Sequence, residues 1–305
     1  MPKKPPAPDG KPATPKPKKI KASLFDAGSI PREVFAASKN LEAALGLPVW
    51  FLVQSGERYV DDLSAPVLTR FRSVRGSFTG PIALVIDSPG GSADVAYRLA
   101  KLLRDHCGGF VAVVPRYAKS AATLLCLGAD EIIMSEDAEL GPLDVQVFEA
   151  DREGWESALD EVQSLDRLNA FALEAVDRHM TLLLGRSGMK IRTLLPEVHA
   201  FVGAMIRPLF EKLDTVHYTR MSRLLKVAEE YASRLLTRKY KEEEAKKIAR
   251  HLVHNYPEHG FVIDHEEANS FGLQAKKATG AMADALVAIA SNLTHSPIVG
   301  QLEEV

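Results

Sequence analysis

Four short, mostly apolar runs limit what this chain can fold into. They are Val49-Trp50-Phe51-Leu52-Val53, Ile82-Ala83-Leu84-Val85-Ile86, Phe110-Val111-Ala112-Val113-Val114 and Glu131-Ile132-Ile133-Met134. A strand whose side chains are apolar on both faces must be covered on both faces. With helical segments between the strands, that condition is met by a parallel α/β sheet. Ala93 to Leu103 is a good helix between the second and third runs, and Ser120 to Leu127 a short apolar helix between the third and fourth. The expected fold class is therefore α/β, with a parallel β-sheet core.

After about residue 150 the strand pattern stops. Residues 155–185 and 203–250 have long helical patterns, so the C-terminal half is expected to be mostly helical. In the second, Met221, Leu224, Leu225, Ala228, Tyr231, Ala232, Leu235 and Leu236 keep the spacing of one apolar face. A short strand at Phe261-Val262-Ile263 and a helix from about Glu266 to Phe271 follow, with Gly272 placed to end that helix. No internal repeat is visible. The expected organisation is a Pro/Lys-rich tail over 1–22, a core over 23–150, a helical extension over 151–255, and a closing strand-helix element with a C-terminal helix over 256–305.

Composition bounds the function. The chain has 305 residues, 46% apolar and 26% charged, which suits a globular protein that needs no disulfide or metal staple. The net charge of -2 gives no global field for nucleic acid, and no nucleic-acid partner is expected. Residues 1–22 hold seven Pro, seven Lys and one Asp, and cannot bury a core. Two cysteines, Cys107 and Cys126, fit neither a disulfide framework nor a zinc spacing. No apolar run is long enough to span a membrane, and no h-region follows the basic start. The expected location is cytoplasmic.

Two segments point to chemistry. Asp87-Ser88-Pro89-Gly90-Gly91-Ser92 follows a strand and opens a helix. Its glycines allow close backbone approach, and the helix start offers unpaired N–H groups that can hold a phosphate or a developing oxyanion. The phosphate-loop patterns GxxxxGK[ST] and GxGxxG are absent; a plain tight turn is the alternative. Ala118-Lys119-Ser120-Ala121-Ala122-Thr123 also joins a strand to a helix. Ser120 is either an N-cap or a nucleophile exposed at a helix head.

Together these segments resemble the Clp-protease/crotonase fold. The resemblance lies over residues 81–145, with a weaker echo at Ile263-Asp264-His265-Glu266-Glu267-Ala268 and Gly272-Leu273. Within that fold the chain is similar to the signal-peptide-peptidase-like serine peptidases, most nearly to the family labelled serine dehydrogenase proteinase. The resemblance implies that Ser120 is the nucleophile. It also implies an oxyanion hole at the Gly90-Gly91 turn and Ala121, with the N–H groups of Gly91 and Ala121 as donors.

The general base is open at this stage. In signal-peptide-peptidase-like enzymes a lysine lies forty to fifty residues after the serine, but here none occurs between Ser120 and Lys190. Lys119 is expected to point away from Ser120. Clp-type proteases use Ser, His and Asp in chain order. Asp144 stands near their histidine position and His259 near their aspartate position, as if exchanged. A triad of Ser120, His259 and Asp144 follows, since triads are recognised by role and not by chain order. The alternatives are that His259 only packs or caps a turn, or that Ser120 pairs with a distant lysine such as Lys190. His251 and His254 lack a completing ligand pattern, so no metal is expected; Cys126 is expected in the core, and Asp87 in a structural role.

The expected function is a serine peptidase acting on peptides or unfolded protein segments, working as a homo-oligomer without a cofactor. Rivals are an acyl-binding crotonase-type enzyme without a nucleophile and an inactive scaffold. A pyridoxal-phosphate serine deaminase, suggested by the family label, is set aside because no phosphate cup with a Schiff-base lysine is recognisable.

Overall fold

A computed structural model describes residues 19–54, 62–149, 153–293 and 296–305. Most of the tail expected over 1–22 lies outside the described residues, but its last part is corrected. Ile20–Ala22 form a strand, β1, followed by β2 (Phe25–Asp26). A three-residue strand with Lys21 at its centre carries almost no sequence signal, and pairing fixes it rather than propensity.

Next come α1 (Arg32–Leu45), β3 (Val49–Val53), α2 (Ala65–Ser73), β4 (Ile82–Asp87), α3 (Ala93–Cys107) and β5 (Phe110–Val114). A short β6 (Tyr117–Ala118) leads into α4 (Ala121–Leu127), then β7 (Glu131–Met134) and β8 (Glu139–Leu140). The four expected strands are thus β3, β4, β5 and β7, parallel and adjacent in that order. Beyond residue 144 two further strands, β9 (Gln146–Glu149) and β10 (Gly154–Ser157), make an antiparallel hairpin.

The helical half has four long helices: α5 (Ala158–Ser187), α6 (Ile191–Phe210), α7 (Thr215–Leu236) and α8 (Glu242–His254). The single pattern read over 203–250 is therefore three helices, and α6 begins well before 203. Pro196 and Pro208 lie inside α6, and prolines normally argue against a continuous helix. The chain ends with α9 (His265–Ser270), β11 (Ala275–Lys277), α10 (Ala281–Asn292) and β12 (Ile298–Glu304). Gly272 follows α9 at φ 97°, as the helix-stop reading requires. The strand expected at 261–263 is only a bridge between Ile263 and Leu140.

The main sheet has the order β1-β12-β3-β4-β5-β7-β11, with β2 also pairing with β12. β11 adds a parallel edge next to β7, and β12 runs antiparallel to β3. The strands are buried on both faces, as their apolar runs require. On one face Leu84 and Ile86 pack with Leu99 of α3, Leu124 of α4 and Leu225 and Leu235 of α7; on the other, Phe51 and Val85 pack with Leu41 of α1 and Leu286 of α10. Each such side chain, buried, contributes about 1.5–3 kcal/mol. All eight apolar-face residues expected in α7 belong to or pack against the first core. By contrast α5 and α6 meet through a small cluster of Ala175, Val198 and Val202, and leave Phe171, Ile191 and Phe201 exposed.

Candidate active site

Both chemistry-bearing turns lie at the C-terminal ends of adjacent parallel strands. Open α/β sheets present their ligand crevices there. From β4 the chain turns at Ser88-Pro89-Gly90-Gly91 into α3, whose cap Ser92 accepts from the Val95 N–H at 3.4 Å. From β5 it runs through β6 and Lys119 to Ser120, which heads α4. The turns are zipped together: the Ser88 N–H donates to the Tyr117 carbonyl at 3.0 Å, and the Lys119 N–H to the Ser88 carbonyl at 2.9 Å. Gly90 has φ 115° and presses on the second turn. A Cβ there would lie 2.8 Å from the Lys119 carbonyl oxygen and 2.9 Å from Ser120 Cβ.

Asp87 and Arg116 clamp the same junction from below. The Arg116 guanidinium donates through Nε and Nη2 to the two Asp87 carboxylate oxygens at 2.8 and 2.7 Å. Asp87 is fully buried. Burial pushes its carboxyl up, and the Arg116 fork opposes that.

Ser120 has φ 50° and ψ −119°, rare for a residue with a side chain, and its hydroxyl makes no capping bond. Ser120 thus stands at the N-cap position of α4 without its side chain capping the helix. A strained strand-to-helix turn that exposes a hydroxyl is a geometry suited to a nucleophile. The N–H groups of Gly91 and Ala121 find no acceptor among the described residues. Gly90 lies in the same turn but was not one of the expected donors. Its N–H donates to Ser88 Oγ at 3.1 Å, so its part is close packing and not donation to an oxyanion. Ser88 in turn donates to Gln54 Oε1 at 2.5 Å.

Asp144 and His259, 115 residues apart, meet. His259 Nδ1–H donates to Asp144 Oδ1, and Asp144 Oδ2 also accepts from Gln146 Nε2 at 3.1 Å and Ser157 Oγ at 3.0 Å. Asp144 is buried, with 4% of its surface exposed. With Nδ1 engaged, the free Nε2 is the position available for a proton from a nucleophile. Ser120, Gly91, Ala121, Asp144 and His259 all line one cavity of about 840 Å³. Its apolar walls include Leu124 and Leu143 of the core and Leu224, Ala228 and Tyr231 of α7.

The other singled-out residues lie elsewhere. Lys119 turns away from Ser120 toward Glu139. Lys190 is exposed at the head of α6 and is not part of this cavity's lining. The His251 ring stacks on Phe271, with centroids 4.5 Å apart, and His254 Nε2 pairs with Glu229 at 3.3 Å. Cys107 and Cys126 are buried free thiols, and burial pushes them up to about 11 and about 12 respectively. Sequence reasoning missed Gln146 and Ser157, which hold Asp144, and Arg116, which holds Asp87. Only the last left a trace, as an arginine two residues beyond a strand whose neighbour ends in aspartate.

Residues 42–163, which include both turns and Asp144, match the family of ClpP-like SDH-type serine proteinases. Over those residues the chain is similar to that family. Two relatives from Methanocaldococcus jannaschii are similar over 67 residues, or 22% of this chain. They are the uncharacterized proteins MJ0137, 48% identical, and MJ1495, 42% identical. In each case the match spans 23% of the relative's own length. Among solved structures, a ClpP1 mutant from Listeria monocytogenes matches with a TM-score of 0.39 at 10% identity, covering 81% of this chain and 99% of that one. His259 and α7 lie outside the family-matched segment. Among the described residues no helix is long and apolar enough to cross a membrane.

Proposed function

We propose that this protein is a serine peptidase with Ser120 as nucleophile, His259 as general base and Asp144 as the residue that orients His259. The observation that carries this reading is the Asp144–His259 hydrogen bond, made at the rim of the cavity onto which the uncapped Ser120 opens. Neither rival, the crotonase-type enzyme without a nucleophile nor the inactive scaffold, calls for a buried carboxylate holding an imidazole there.

In the first step His259 Nε2 takes the proton of Ser120 Oγ as the oxygen attacks the scissile carbonyl. The N–H groups of Gly91 and Ala121 stabilise the oxyanion, and losing one such donor typically costs about 10²–10³ in rate. His259 then protonates the leaving amine, and a water repeats the sequence to release the acyl group. Asp144 keeps the proton on Nδ1, which leaves Nε2 as the acceptor.

The proposed substrate is a peptide or an unfolded segment with an apolar side chain beside the scissile bond, suited to the wall formed by Leu124, Leu143, Leu224 and Tyr231. The proposed setting is cytoplasmic. The proposed assembly is a homo-oligomer, supported by the exposed Phe171, Ile191 and Phe201 on α5 and α6. The test is labelling with a fluorophosphonate probe and mapping of the modified peptide. The label is expected on Ser120, and Ser120→Ala is expected to abolish both labelling and casein hydrolysis. Undiminished hydrolysis by Ser120→Ala rejects the reading.

A further inference from the structure

Lys119 adjoins Ser120 but is directed into the protein, with 16% of its side chain exposed. Its Nζ donates to the Leu140 carbonyl at 3.2 Å and to the Phe261 carbonyl at 3.2 Å, and it pairs with Glu139 Oε1 at 3.0 Å. An ammonium group has three protons, and three acceptors surround this one. Its contacts are therefore made with these segments and not with Ser120.

The acceptors belong to the segments that deliver the other two members of the proposed triad. Glu139 and Leu140 form β8, a few residues before Asp144; Phe261 lies two residues after His259. These segments also meet directly. The Leu140 N–H donates to the Ile263 carbonyl at 2.8 Å, and the Ile263 N–H to the Leu140 carbonyl at 3.1 Å. Gly141 lies hard against Lys119, where a Cβ would come within 2.7 Å of Lys119 Cδ. Thr123 of α4 adds a second tie, donating to the Ala118 carbonyl at 2.6 Å and accepting from the Gly141 N–H at 3.0 Å.

We propose that Lys119 is a positioning residue, whose ammonium holds the Asp144 and His259 segments against the Ser120 turn and so sets the distance from His259 to Ser120. This rests on the serine-peptidase reading. His259 reaches the cavity from a segment far along the chain. Small shifts of a base relative to its nucleophile are expensive in rate.

The test is a double-mutant cycle on casein hydrolysis and fluorophosphonate labelling, in wild type, Lys119→Met, His259→Ala and the double variant, with thermal midpoints alongside. Lys119→Met is expected to lower kcat and the labelling rate about tenfold or more, with KM within about twofold. Added to His259→Ala, it is expected to cost less than about twofold, because a residue that acts through His259 has nothing left to position. Wild-type kcat in folded Lys119→Met, or the same loss in both backgrounds, overturns the inference. Should Lys119→Met fail to fold, Glu139→Ala carries the same cycle, with about a threefold loss expected in wild type and none beside His259→Ala; no loss in wild type overturns it. Retained hydrolysis by Ser120→Ala is a separate outcome, which removes the peptidase reading itself.

Discussion

Replacing Gly90 by alanine tests whether the contact between the two turns sets the catalytic geometry. The added methyl would sit 2.8 Å from the Lys119 carbonyl oxygen, 2.9 Å from Ser120 Cβ and 3.1 Å from the Ala121 nitrogen. Two of these neighbours are backbone atoms and the third is the Cβ that carries the Ser120 hydroxyl, so no flexible side-chain end can move aside. The residue also holds φ 115°, a conformation that costs a non-glycine residue about 1–3 kcal/mol. Relief requires the Ser120 turn to retreat by several tenths of an ångström, and that movement carries the Ala121 N–H off the proposed oxyanion position. The expected loss in kcat is about 10²–10³, the cost of one misplaced donor. The thermal midpoint should fall by only about 2–4 °C for each kcal/mol of strain. Gly185→Ala is the control, since a Cβ there meets nothing within 4 Å. Casein hydrolysis gives kcat, and circular dichroism gives the midpoint. A Gly90→Ala protein with wild-type kcat would refute the argument, because it would show that the turns need not touch for the site to work.

Asp144→Asn is expected to lower kcat by about 10²–10⁴, since an amide cannot accept from His259, Gln146 and Ser157 together; combined with His259→Ala it should cost little more than His259→Ala alone, as steady-state kinetics will show. Arg116→Ala leaves the buried Asp87 carboxylate unpaired, at a cost of about 3–5 kcal/mol. Because burial raises the Asp87 carboxyl, the folded state binds the extra proton, so stability falls as pH rises from the ordinary carboxylate range upward. Melting curves should show a larger deficit at neutral pH than in mild acid, and a pH-independent deficit contradicts this. Cys107 and Cys126, raised to about 11 and about 12, should resist iodoacetamide at neutral pH in the native protein and react fully in denaturant; mass spectrometry showing rapid native modification of either would count against their burial. Ala228→Trp, which fills the α7 side of the cavity, should shift cleavage of a peptide library away from large apolar residues, and an unchanged profile would rule out α7 as a specificity wall.

What was legible in the sequence follows from how each element is stabilised. The strands β3, β4, β5 and β7 are buried on both faces, so their apolar character is written into consecutive residues. β12 was missed because only part of it is buried, and it contains Gly300, Gln301, Glu303 and Glu304. β1 and β11, three residues each, are held by their neighbours. The long helical pattern ran through the breaks between α6, α7 and α8, because the apolar face resumes after each short turn. At the candidate site, the Gly90-Gly91 and Ser120 turns were legible as close-packed strand-to-helix turns, because close backbone contact demands small residues in a fixed local order. The hydrogen bond from Gly90 to Ser88 Oγ was not, since it depends on how that turn closes.

The pairing of Asp144 with His259 illustrates a different kind of legibility. Nothing local to either residue marks it, and it was expected only through the resemblance and an exchange of positions. On the proposed reading, the structure offers a physical reason for a carboxylate at 144 and an imidazole at 259. Ser157 and Gln146, both from the β9–β10 hairpin that follows Asp144, hold the carboxylate from one side, while the segment at 256–263 delivers the imidazole from the other. A carboxylate needs several donors to stay buried, and the hairpin provides them next to residue 144. An imidazole needs one acceptor and an open edge, and the short segment before Ile263 leaves His259 partly exposed on the cavity. Each residue type therefore stands where its solvation is met. On the proposed reading, the acid at 144 and the base at 259 each stand in the loop that can meet its solvation, and the order of the segments need not change.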